Sequence, residues 1–184
     1  SYHGGCKKKH FEVGDFFDMI YVLLNVVGAS CKRKERICEN CRKKVEEGIC
    51  NGELNTGTGL NKELSLQRPA NTRWCTHYKT LLRLIQFFSC IIEVLEYIQD
   101  EGVDTTIKRR QANGLLKYFH TFDFVFYLQL MVHILGLTDI LSKALQRRDQ
   151  DILNAMSLVA STKRELQKLR DDGWADFLAK VCSF

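Results

Sequence analysis

Two cysteines three residues apart, Cys38 and Cys41, are the first chemistry-bearing pair in the chain. A CxxC can supply half of a tetrahedral zinc site, but no second CxxC or HxxxH completes four ligands. On a helix the same spacing places two small apolar groups on one stripe, and that is the reading adopted, with no metal and no cofactor expected. His77 and His120 could act as general bases. Each lacks a nucleophile or carboxylate partner at a defensible spacing, and His133 lies in an apolar run that suits a core histidine. Gly52, Gly57 and Gly59 invite a phosphate-loop reading, yet no GK[ST] follows and no strand precedes. The acids Asp123, Asp139 and Asp149 are expected to be caps or solvated charges, because two-metal cleavage needs carboxylates converging on rigid strands. Neither an enzyme nor a small-molecule substrate is expected.

Basic charge remains. The 184 residues carry 27 Lys and Arg against 22 Asp and Glu, a net +5, but the charge is clustered. Lys32 to Lys44 holds seven basic residues against two acidic, Lys62 to Arg83 five against one, and Lys108 to Lys117 four against none. Such segments on one face would attract phosphates; on faces that point apart they would only solvate helices. The eight cysteines in a helical, loop-poor chain suit a reducing intracellular compartment better than a disulfide framework.

The elements that must position these residues read as helices. One proline and 12 glycines are few for a turn-rich β-fold. Val13, Phe16, Phe17, Ile20, Leu23, Leu24 and Val27 recur at helical spacing before Gly28, and Ser30 can cap a second helix to about Gly48. Residues 1–10 read as an irregular tail and 51–70 as an exposed loop. Pro69 precedes a long helix to about Gln99, with an apolar stripe of Trp74, Tyr78, Leu81, Leu82, Ile85, Phe88, Ile92, Leu95 and Ile98. Thr105 opens a basic helix to His120. Thr121 caps an apolar helix expected to be central, to end at Gly136 and to fall short of a bilayer span. Thr138 then caps a long helix through about Leu169, stopped near Gly173, before a short turn with Trp174, Phe177 and Val181. The sum is one all-α domain, residues 11–184, of about six helices, with no membrane partner. The aromatic run Tyr118, Phe119, Phe122, Phe124, Phe126 and Tyr127 wraps its helix, which signals burial and not a stacking platform.

The phrase RPANTRWCTHYKTLL, with Arg73 and Trp74, resembles the TRWxSHYxxL signature of hAT-superfamily DNA transposases. LNVVGASCKRK, GLNKELSLQRPANTRW and the stretch from Tyr118 to Trp174 extend the resemblance to plant hAT-derived proteins with TTF-type or MYM-type zinc fingers. The resemblance implies the all-helical insertion domain of such a transposase, nuclear, without the Asp, Asp, Glu triad, the zinc finger or the C-terminal dimerisation segment. It further implies that Trp74 stacks on DNA near a cleaved end, with Arg73 on the adjoining phosphate. The alternative is that Trp74 anchors its helix to the core. On the DNA reading the contact residues are Lys32, Arg33, Lys34, Arg73, Trp74, Lys79, Lys108, Arg109 and Arg110, facing hairpin or single-stranded ends. A protein partner or homo-oligomer, without nucleic acid, is the competing expectation, and an active transposase seen only in part is the third.

Overall fold

The computed structural model describes residues 4–50, 74–100 and 106–184, and side chains at 12–43, 76–100 and 106–184. Among the described residues there are eight helices and no strand: α1 (Gly4–Gly28), α2 (Cys31–Cys50), α3 (Trp74–Gln86), α4 (Phe88–Asp100), α5 (Thr106–Phe119), α6 (Phe122–Leu145), α7 (Ile152–Asp171) and α8 (Trp174–Cys182). The loop expected at 51–70 lies outside the described residues. Helix α1 starts at Gly4, so most of the stretch expected to be an irregular tail is helical.

The chain divides into two compact units, Ser1–Arg68 with Arg83–His120, and Pro69–Leu82 with Thr121–Phe184, where the sequence reading had one domain. In the first unit α1 packs on α2 and α5, and α4 on the same two, so four helices close a ring around one core. The chain turns through 99° from α1 into α2. Phe16, Ile20, Leu23, Leu24, Val26 and Val27 line the inner face of α1, close to the stripe expected there. Two polar contacts join α2 to α4: Arg36 lies 3.5 Å over the ring of Tyr97, and Asn40 Nδ2 donates to Glu93 Oε2 at 2.7 Å.

The long helix expected from Pro69 is broken at Phe87, although Phe87 N donates to Arg83 O and Ile91 N to Phe87 O, each at 2.9 Å. Its buried line keeps to the expected stripe at Leu81, Leu95 and Ile98 and runs one position away from it at Leu84, Phe87, Ile91 and Val94, whereas Leu82 is exposed. Apolar residues cover so much of this helix that periodicity leaves the phase open, and the alternating three- and four-residue spacing of a packed seam decides it.

In the second unit α6 packs on α7 and α8, and α7 on α8. Thr121 caps α6 as expected, its Oγ accepting from Phe124 N at 3.3 Å. Gly136 does not end α6, however, and Thr138 does not cap a new helix: its hydroxyl donates to the Leu135 carbonyl at 3.0 Å, one turn back. The cap of α7 is Asp151, whose Oδ1 accepts from Asn154 N at 2.7 Å. Glycine at 136 serves packing instead. A Cβ there would lie 3.3 Å from Tyr78 Cε2 and 3.3 Å from its hydroxyl, whereas Gly14 and Gly114 have no atom within 4 Å of that position.

These three glycines give a graded expectation. In a helix interior Ala is favoured over Gly by about 1 kcal/mol. Gly14→Ala and Gly114→Ala should each raise stability by about that amount, roughly 2–4 °C in Tm for a chain of this size. Gly136→Ala should gain clearly less, because the Tyr78 ring must yield, and should recover the full gain in a Tyr78→Ala background. Thermal denaturation of the single and double variants measures the coupling.

Candidate interaction surfaces

The nine residues expected to face DNA are divided between the two units and the residues outside those described. Arg73, and the side chain of Trp74, lie outside the described residues. Lys32, Arg33, Lys34, Lys108, Arg109 and Arg110 belong to the first unit and Lys79 to the second. Lys32, Lys34, Lys79 and Arg110 are exposed, and Lys108 and Arg109 are half-buried, with Arg109 Nε unsatisfied.

Arg33 corrects the reading of its segment. It is only 6% exposed, and its Nη1 donates to the Val26 carbonyl at 2.7 Å. Val26 is in the last turn of α1, where carbonyls lose their intrahelical partners, so the guanidinium satisfies an acceptor the helix leaves over. A side chain held this way is structural.

The acids also separate. Asp123 is exposed in the first turn of α6. Asp149 is exposed and takes two hydrogen bonds from Arg147, at 3.1 and 2.8 Å, which hold its carboxyl below the ordinary value. Asp139 is neither a cap nor solvated, contrary to expectation. It is buried in α6, one oxygen paired with Lys143 one turn on and Oδ1 without a partner. Buried carboxylates are costly unless their lone pairs are met, so Asp139 is a polar flaw in an otherwise apolar seam.

The thiols of Cys31, Cys38, Cys41, Cys90 and Cys182 are not in disulfides; of the pair expected on one buried stripe of α2, Cys41 is buried and Cys38 is half-buried. Among the described residues no three His, Cys, Asp or Glu side chains gather as metal ligands. His120 Nδ1 lies 2.6 Å from the Leu116 carbonyl, an acceptor, so that nitrogen carries the proton and closes the last turn of α5. His133 is exposed, not the core histidine expected. At His77, burial lowers the imidazole pKa below its ordinary 6.5. The folded state therefore prefers the neutral ring. Stability should be full above pH 6.5 and decline as pH falls below it, and His77→Gln should remove that part of the pH dependence in thermal melts.

The feature that periodicity hid lies on the second unit. With 24 residues α6 is long and apolar enough to cross a bilayer, by length and composition, because it does not stop at Gly136. It was expected to be central, yet only 22% of its most apolar stretch is buried. Phe124, Leu128 and Leu135 point inward, while Phe122 and Ile140 are exposed, so the aromatic run is not wholly buried either. No residue of α7 is buried. Ile152, Leu153 and Met156 in its first turns are between 66% and 81% exposed. Hydrophobic periodicity marks such residues as a core face but does not say whether the chain itself supplies the opposite wall. No family model matches the chain, and no solved structure matches its fold.

Proposed function

We propose that this chain is a helical binding module whose principal contact is with protein, made through the apolar surface that α6 and α7 leave uncovered. One observation carries it: Ile152, Leu153 and Met156 follow one another along α7, and none is covered by the second unit's own helices. Single exposed apolar residues are ordinary, whereas a run of large ones on adjacent turns marks a contact surface. Resemblance in the TRWCTHYK phrase and its flanks supports a transposase-derived origin, in the manner of an hAT insertion domain without strand cleavage. On that reading the partner includes transposase-derived chains in the nucleus.

DNA contact is the second reading, favoured by the exposure of Lys32, Lys34, Lys79 and Arg110. The two part company in one experiment. The immobilised chain is incubated with nuclear extract, treated with nuclease, and compared with an Ile152→Ser/Leu153→Ser/Met156→Ser variant. Protein contact predicts a partner that survives nuclease and is lost from the variant. Recovery that vanishes with nuclease, together with affinity for single-stranded ends that falls steeply with salt, would replace this reading with DNA contact.

A further inference from the structure

Helix α2 is unbroken from Cys31 to Cys50, so Cys38 and Cys41, three residues apart, stand on one face of it in adjacent turns. If both only filled the core, both would be buried. Cys41 is 3% exposed, as is Ile37 one turn before it, whereas Cys38 is half-buried, and neither thiol is in a disulfide. The pair straddles the edge of the first unit's core.

Spacing decides what such a pair can hold. Side chains at i and i+3 of an α-helix have Cβ atoms about 5–6 Å apart, whereas a disulfide needs about 3.5–4.5 Å, so joining the two sulfurs directly would unwind α2. Contacts with α4 oppose that. Asn40, between the two cysteines, donates to Glu93 at 2.7 Å, and Arg36 lies 3.5 Å over the Tyr97 ring. A metal ion spans the gap with the helix intact: at about 2.3 Å from each sulfur it holds them up to about 4.6 Å apart, within reach of both side chains. Zinc asks for four ligands, and no third His, Cys, Asp or Glu gathers with this pair among the described residues. Thiolates select soft ions, and monovalent copper is satisfied by two of them in line.

We propose that Cys38 and Cys41 form a two-coordinate site for Cu(I). Two S–Cu bonds form as both thiols give up their protons, so one bound ion releases two protons and leaves a bis-thiolate with one net negative charge. No electron is transferred. Lys34 and Arg42, four residues before and after Cys38, share its column of the helix and offset that charge, against Glu35 three residues before it. The buried Cys41 end shields the ion from water, and the half-buried Cys38 end admits it. The site belongs to the first unit and is independent of the protein-contact reading, which concerns the second.

The test is anaerobic competition for Cu(I) between the reduced full chain and bicinchoninate, read from the absorbance of the copper–bicinchoninate complex. The wild-type chain should withdraw one equivalent that the Cys38→Ser chain does not, and x-ray absorption of the one-equivalent complex should show two sulfur neighbours. Cys38→Ser and Cys41→Ala should each weaken uptake at that site by more than about 100-fold, beyond the range for loss of an outer partner. Cys38→Ser, at a half-buried position, should keep the fold even where Cys41→Ala does not, and Cys90→Ala, buried on α4, reports what loss of a core thiol does by itself. Unchanged uptake in both α2 variants would mean an adventitious ion only, held by other thiols, and overturns the proposal. So do the absence of uptake, equal loss in Cys90→Ala, and three or four sulfur neighbours. Zinc uptake that both α2 substitutions abolish also overturns it, since the pair is then half of a larger site.

Discussion

Phe124→Ala should lower the stability of the chain by about 3–5 kcal/mol, and Leu128→Ala by about 2–5 kcal/mol. Both side chains are fully buried, one turn apart on the inward line of α6. Each truncation removes apolar surface that folding took out of water and leaves a cavity that neighbours fill only in part. Leu81, buried on α3, should cost as much as Leu128. Chemical denaturation followed by circular dichroism checks all three. The control is Ile140→Ala on the same helix, which is 67% exposed and should cost little. Equal losses at Ile140 and Leu128 would mean that the inward face of α6 has been misassigned.

That control shows where sequence is informative and where it is not. The helical class was legible because period and caps agree: Gly28, Thr121 and Gly173 stand at helix boundaries as read. Gly136 misled because a glycine that admits a tyrosine ring looks, in one dimension, like a glycine that ends a helix. Asp139 misled for a related reason, since acids mid-helix are usually solvated and its burial depends on helices distant in sequence. The run from Phe122 to Tyr127 could be recognised as apolar, but whether it is covered depends on partners the sequence does not reveal. The basic segments were visible as charge. Which of them are free to touch a ligand depends on orientations that charge counting does not contain, and Arg33 is the instance that decides the point.

Arg33→Ala should cost about 1.5–3 kcal/mol, the range for a hydrogen bond to a charged donor, and should leave nucleic-acid affinity unchanged. The loss has two parts. The carbonyl of Val26, buried at the end of α1, gives up the donor that satisfies it, and the buried aliphatic stem of Arg33 is removed. Arg33→Lys should recover only part of the loss, because an ammonium on a flexible stem does not present the same planar donors. Lys32→Ala and Lys34→Ala, on either side and exposed, should leave stability within about 0.5 kcal/mol of wild type. On a DNA-contact reading the three neighbours behave alike, with binding falling and stability untouched. Denaturation and salt-dependent binding of the same four variants therefore separate a residue that completes a helix from residues that only decorate one. Weakened DNA binding in Arg33→Ala at unchanged stability would return Arg33 to the surface.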